Sequence, residues 1–386
     1  IPYLQDGKLS LYICATYTTQ QTNEAITKEI IDFEWSNLLI MVLATLVLLI
    51  LVDRVVLKKL VAVQRSVKQY RQDKDSAAAA GNLRKVNTRN EIGQLAENFA
   101  LTVEELDHYY KEMIELSAKK ERMDAELSMA SRIQKEALNN DFPAYPDRKE
   151  FELYASMDPA KEVGGDFYDF FLIDDDHLCM IIADVSEKGM PAALFMMASK
   201  AVLSHHAKMG KSPAEIIKDA NYDLCRNNEA EMFVTVWLGI LEISTGRLTE
   251  ANAGHEYPAL KAPGSGYELI VKRHGMMLGV RENVKVFESE MQMEPGSQLF
   301  VYTDGVTEAT SVNIELFGTD RMIEALNRNG NADVKETLEN VREAIDAFTE
   351  GAEQFDDITM LCLEYFGNPT EKAEITENGG TIDDDH

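Results

Sequence analysis

The run from Leu38 to Val52, LLIMVLATLVLLILV, carries no charge and a single polar residue, Thr45. A water-soluble fold cannot leave such a stretch uncovered at its surface, so this run sets the first limit on the architecture. Extended back to Trp35, it is just long enough to cross about 30 Å of hydrocarbon as a helix, with Trp35 at one interface. The flanks differ in sign. Arg54, Lys58, Lys59, Arg65, Lys68 and Arg71 follow the run, whereas Asp6, Glu24, Glu29, Asp32 and Glu34 precede it with only Lys8 and Lys28. The positive-inside rule then predicts a transmembrane helix over 35–53, anchored in the cell membrane, with everything after it in the cytoplasm. Residues 1–34 would lie outside as the remnant of a sensor. The chain starts at Ile1 rather than Met, which leaves room for an earlier span and the rest of that sensor.

Punctuation divides the remainder. No proline occurs between Pro2 and Pro143, and Gly81 and Gly93 are the only glycines from Lys8 to Val163. The first third therefore reads as mainly helical and the rest as a turn-rich globular domain. Charge excludes one class of partner. With 38 basic against 66 acidic residues the net charge is −28, which would repel a phosphate backbone, so no nucleic acid is expected. The acidic stretch at 368–386 reads as a disordered, solvated tail. Cys14, Cys179, Cys225 and Cys362 are widely spaced and form no CxxC pair, so neither zinc nor a disulfide framework is expected.

Val56, Leu60, Val63, Val67 and Tyr70 recur at helical spacing, and a polar connector containing AAAAGNLRKVNTRN follows. A second helix begins near Glu91. Its apolar positions Ile92, Leu95, Phe99, Leu106, Tyr109, Met113, Leu116, Met123, Leu127, Ala130 and Ala137 share one seam, broken at Thr102, Lys120 and Gln134. So long a seam predicts a parallel coiled coil and hence a homodimer. Helix, connector and helix with Asn90-Glu91-Ile92-Gly93-Gln94-Leu95 resemble a HAMP domain over 54–106, although Val56-Leu57 stands where that family carries a proline. The resemblance implies a relay of signal from the span, through a coiled-coil helix over 107–138, to an effector at 140–367.

From Phe151 short β-rich runs appear, such as Cys179–Ala183, Phe233–Trp237 and Leu299–Tyr302, interleaved with helical patterns at Pro191–Ala207, Pro213–Asn227, Asp320–Asn327 and Val334–Phe348. This is an α/β domain. Four acidic loci accompany the strands: Gly164-Gly165-Asp166-Phe167-Tyr168-Asp169, Ala183-Asp184-Val185-Ser186, Thr303-Asp304-Gly305 and Phe355-Asp356-Asp357-Ile358. Carboxylates gathered from such strand ends repel one another unless a cation neutralises them, and hard oxygen donors select Mg²⁺ or Mn²⁺.

Six runs in order, ASRIQ from Ala130, VGGDFYD, DVSEKGMPAALFM from Asp184, NAGHEYP from Asn252, YTDGVTEA from Tyr302 and DDITML from Asp356, resemble the PPM-type metal-dependent serine/threonine phosphatases of the SpoIIE-like and RsbU-like branch. That resemblance implies a β-sandwich flanked by helices and a site of two Mn²⁺ or Mg²⁺ ions. Asp166 and Asp184 would hold metal, with Asp184 bridging and the Val185 carbonyl contributing. Asp304 and Asp356 would hold the second ion, with Asp357 an alternative to its neighbour. Asp169 is expected to be structural. The ions would activate a water for in-line attack on phosphorus, and Lys161 is a candidate contact for the substrate phosphate. The substrate implied is a phosphoprotein, an anti-sigma-factor antagonist of STAS fold. Glu187 departs from the family's glycine, which predicts a stiffer loop after Asp184, and Glu256-Tyr257 departs from Asn-Pro after His255. Two other readings compete. A catalytically silent scaffold would have no need of the four aspartates, and a diguanylate cyclase, suggested by Gly164-Gly165-Asp166-Phe167, would leave Asp304 and Asp356 unexplained.

Overall fold

A computed structural model describes residues 2–5, 8–12, 19–226 and 228–367. Cys14 and the acidic stretch 368–386 lie outside the described residues. The chain divides into two compact units, 1–120 and 121–386.

In the first unit, a short hairpin of β1 (Pro2–Gln5) and β2 (Lys8–Tyr12) precedes α1 (Thr19–Val52). The helix continues through a π-helical turn, Asp53–Leu57, into α2 (Lys58–Asp73). Every side chain from Trp35 to Val52 is exposed, and among the described residues this is the one helix long and apolar enough to cross a membrane. The polar connector is partly helical. Ser76–Arg84 forms helix α3, because four consecutive alanines are strong helix formers and the Asp75 carboxylate caps the first turn by accepting from Ala78 N at 2.9 Å. Lys74, left-handed at φ 56°, makes the corner before it. Ala80, Leu83 and Val86 pack with Val63 of α2 and with Ala96 and Ala100 of α4 (Glu91–Ala137). The face of α4 used here is its small-residue stripe. The apolar seam one step round the helix stays exposed: Leu106 by 43%, Met113 by 69% and Leu116 by 66%.

The second unit is built on two five-stranded antiparallel sheets. One has the order β10-β7-β6-β5-β4, with β4 (Phe167–Leu172), β5 (His177–Val185), β6 (Val234–Glu242), β7 (Arg247–Ala253) and β10 (Glu288–Gln292). The other has the order β3-β12-β11-β8-β9, with β3 (Phe151–Asp158), β8 (Ala259–Lys261), β9 (Tyr267–Leu269), β11 (Ser297–Tyr302) and β12 (Ile358–Tyr365). Strand alternation assigns the layers. Leu299, Val301, Leu361 and Leu363 face the first sheet, while Phe300, Tyr302, Met360 and Cys362 face outward under α7 (Gly318–Leu326) and α8 (Val334–Thr349). On the far side, α5 (Met190–Ala207) and α6 (Pro213–Arg226) cover the first sheet through Met196, Leu203, Ile217 and Leu224. The result is the predicted helix-flanked sandwich, four layers deep.

Candidate active site

Antiparallel pairing gathers the acidic loci. Phe167, at the start of β4, pairs with Ala183 near the end of β5, so Asp166 and Asp184 lie at the same edge of the first sheet. Tyr302, at the end of β11, pairs with Met360 near the start of β12, which brings Asp304 to the Asp356-Asp357 corner of the second. Two contacts join the edges. Thr303 Oγ1 donates to Asp166 Oδ2 at 2.7 Å, and the Asp357 carboxylate accepts from Gly165 N and Ala160 N, each at 2.7 Å.

Backbones approach closely here, and glycine is what permits it. A Cβ on Gly165 would sit 2.8 Å from the Val185 carbonyl oxygen, and one on Gly305 would overlap the Asp357 carbonyl. Gln134, in the last turns of α4, pairs reciprocally with the glycine loop: Nε2 donates to Gly164 O at 2.7 Å, and Oε1 accepts from Gly164 N at 3.1 Å.

The electrostatics follow from burial. Desolvation, followed by the neighbouring carboxylate of Asp184, holds Asp166 well above the usual carboxylate range. Asp184 is pushed up to about 8, first by burial and then by Asp304 and Asp356. Asp304 rises to about 6, through burial and then Asp356, Glu308 and Glu256. No basic group appears among the neighbours that move these three. An all-oxygen donor set, desolvated, mutually repelling and lined by a glycine cradle, suits a hard divalent cation. Among the described residues, however, no three His, Cys, Asp or Glu side chains already surround one point as ligands. Asp356 has both oxygens engaged, Oδ1 by Asp357 N at 3.0 Å and Oδ2 by Lys188 Nζ at 2.9 Å.

Residues 174–366 match the model of the family described as stage II sporulation protein E (SpoIIE), half of the chain. The chain belongs to the SpoIIE family. Its curated relatives include Protein IcfG of a Synechocystis strain, 31% identical over 313 residues that make up 73% of this chain and 47% of the relative. Phosphoserine phosphatase RsbU of Bacillus subtilis is 28% identical over 206 residues, 53% of this chain and 60% of the relative. The chain thus spans about half to three-fifths of the length of these two relatives. The fold agrees with that of the SiaA-PP2C domain of Pseudomonas aeruginosa, at a TM-score of 0.58 and 20% identity, covering 64% of this chain and 99% of that domain.

Within this SpoIIE-family domain the residues singled out by sequence are distributed as follows. Asp166, Asp184, Asp304, Asp356 and Asp357 all come to the one edge, with the Val185 carbonyl facing Gly165. Both neighbours have partners: Asp357 accepts from the backbone amides of Ala160 and Gly165, and Asp356 accepts from Asp357 N and pairs with Lys188. Lys161 is exposed on the loop before Gly164. Asp169 lies in a buried network, accepting from Ser204 Oγ at 2.6 Å and from Asn139 Nδ2 at 3.3 Å, and paired with Lys200 Nζ at 2.7 Å. The NAGHEYP run forms a buttress beneath the Asp184 strand. Asn252 closes its turn by accepting from His255 N, and His255 Nδ1 meets Thr235 Oγ1 at 2.8 Å, where Thr235 pairs with Asp184 across β5 and β6. Burial lowers His255 to about 3, so this imidazole stays neutral.

Three participants escaped the sequence reading: Thr303, Gln134 and Lys188. The signals were slight. Gln134 is a polar break in an apolar seam and the last residue of the ASRIQ run, and Lys188 is the lone cation of the DVSEKG run.

Proposed function

We propose that this chain is a membrane-anchored, signal-regulated, metal-dependent protein serine/threonine phosphatase. The observation that carries the reading is the convergence of Asp166, Asp184, Asp304 and Asp356 at one sandwich edge, where burial and mutual repulsion raise Asp166, Asp184 and Asp304. Asp166, Asp184 and the Val185 carbonyl would hold one ion, and Asp304 and Asp356 a second, with Mn²⁺ or Mg²⁺ as the candidates. When bound, such ions supply a nucleophilic water and neutralise charge on a transferring phosphoryl group. The chain's own residues do the positioning. Thr303 orients Asp166, Asp357 fixes the glycine loop through its backbone, and Lys161, on the adjoining loop, is the proposed contact for the substrate phosphate.

The apolar belt of α1 supports anchoring in the cell membrane, and the excess of basic residues after it supports a cytoplasmic phosphatase domain. We read 54–106 as HAMP-like and 107–138 as a signalling helix whose exposed seam pairs with a second copy in a parallel coiled coil. The substrate proposed is a phosphoprotein, an anti-sigma-factor antagonist of STAS fold, on the strength of the family resemblance.

Hydrolysis of a phosphoserine peptide by the full chain in detergent, with Mn²⁺ and with chelator, tests the proposal alongside Asp184→Asn. Metal-dependent turnover lost in the variant is the expected result. Among the described residues no ligand set is gathered and Lys188 engages Asp356, which favours one second reading, a silent scaffold of the same fold. It would take over if the chain neither turned over nor bound metal.

A further inference from the structure

The loop after Asp184 has an unusual backbone. Glu187 is left-handed at φ 68°, and Gly189 lies at φ 81° and ψ −153°, a region essentially reserved for glycine. Between them Lys188 is turned across to the second sheet's corner. Its ammonium donates to Phe355 O at 2.6 Å, pairs with Asp356 Oδ2 at 2.9 Å and lies 3.9 Å from the centroid of the Phe355 ring. The two partners' side chains are only 31% and 25% exposed, so this is not the loosely solvated type of surface ion pair. Among the described residues no other Lys or Arg makes an ion pair with Asp166, Asp184, Asp304 or Asp356.

We propose that Lys188 is a built-in counter-cation that holds Asp356 and must be displaced before a divalent metal ion binds there. The proposal rests on the metal-dependent reading of the site. Both oxygens of Asp356 are committed, one to a backbone amide and one to the ammonium, and only the ammonium sits on a long flexible stem that can swing away. Loading the site is then an exchange of one cation for another, and the strained Glu187–Gly189 turn is what aims the first. Lys188 on this view sets how much metal the enzyme needs, and takes no chemical step.

The test is Mn²⁺ affinity by titration calorimetry on the full chain in detergent. Lys188→Gln should tighten Mn²⁺ binding about tenfold, equivalent to about 1.4 kcal/mol. Lys188→Arg should weaken it, because a guanidinium grips a carboxylate through two donors. Lys161→Gln removes the same charge from a neighbouring loop and should change affinity less than about twofold. An unchanged affinity in Lys188→Gln, or an equal gain in Lys161→Gln, overturns the exchange while leaving the metal reading standing. Wild-type chain that binds no Mn²⁺ overturns both. Circular dichroism of each metal-free variant confirms that its fold is intact.

Discussion

Asp356 and Asp357 are neighbours of identical chemistry, and the structure predicts that replacing them has opposite consequences. Asp357→Ala removes the acceptor for two short backbone bonds, from Ala160 N and Gly165 N at 2.7 Å each, in a side chain only 8% exposed. A buried donor left without a partner costs about 1–3 kcal/mol, so the pair amounts to about 2–6 kcal/mol. For a domain of this size, about 2–4 °C per kcal/mol translates that into a Tm lower by roughly 4–24 °C. Asp356→Ala removes a largely covered ion pair and one local backbone bond, worth about 1–2 kcal/mol, but it also relieves repulsion with Asp184 and Asp304 that offsets part of this. The measurement is thermal unfolding of each variant in chelator, followed by Mn²⁺ titration of whatever remains folded. Asp357→Ala should lose stability first, while Asp356→Ala should keep its metal-free Tm within a few degrees and lose metal affinity. If Asp356→Ala is the less stable of the two in chelator, or if Asp357→Ala melts with wild type, the assignment of Asp357 as a backbone clamp is wrong.

Three further outcomes are expected. Asp184 is raised to about 8 and Asp304 to about 6, so the metal-free fold binds their protons more tightly than the unfolded chain does. That stabilisation is full below about pH 4 and is lost as pH rises through 6 and 8. The metal-free Tm of wild type should therefore drop between pH 5 and 8.5 more than that of Asp184→Asn, and equal drops would refute the coupling. Glu187→Gly should relieve a left-handed side chain and stabilise the fold by about 0.5–1 kcal/mol in chemical denaturation, whereas Gly189→Ala should destabilise it. Lysine at Met113 and Leu116 together should convert a dimer of the full chain to monomer in light scattering, without moving the unfolding of the catalytic domain. A dimer that survives the double substitution would show that this seam is not the contact.

The sequence carried the four acidic loci because each sits in a short local run beside a strand, where type and spacing are enough. It could not separate Asp356 from Asp357, since the difference lies in which one the loop 160–165 reaches, nearly two hundred residues away in the chain. Lys188 was hidden for the same reason: its partner is 168 positions on, across the interface between the sheets. The connector after α2 holds a helix that its polar residues do not announce, built on an alanine run with a proper cap. Gln134 shows the opposite case. It was noticed as an interruption of the seam, and the structure supplies the reason, a buried amide paired with the backbone of Gly164.

The division of the acidic residues between two sheets makes the site a gauge of interlayer alignment. Asp166 and Asp184 sit at the end of one β-ladder, and Asp304 and Asp356 beside the end of the other. Each pair keeps its own spacing so long as its ladder survives, but the distance between the pairs depends on how side chains of opposite faces interlock and on the few hydrogen bonds that join the edges. A slide of one whole sheet over the other by the rise of a single residue, about 3.3 Å, would leave every hydrogen-bonded rung in place and still pull the two halves out of alignment. Loss of metal affinity should thus be the earliest sign that the sandwich has loosened, ahead of any change in its strand content.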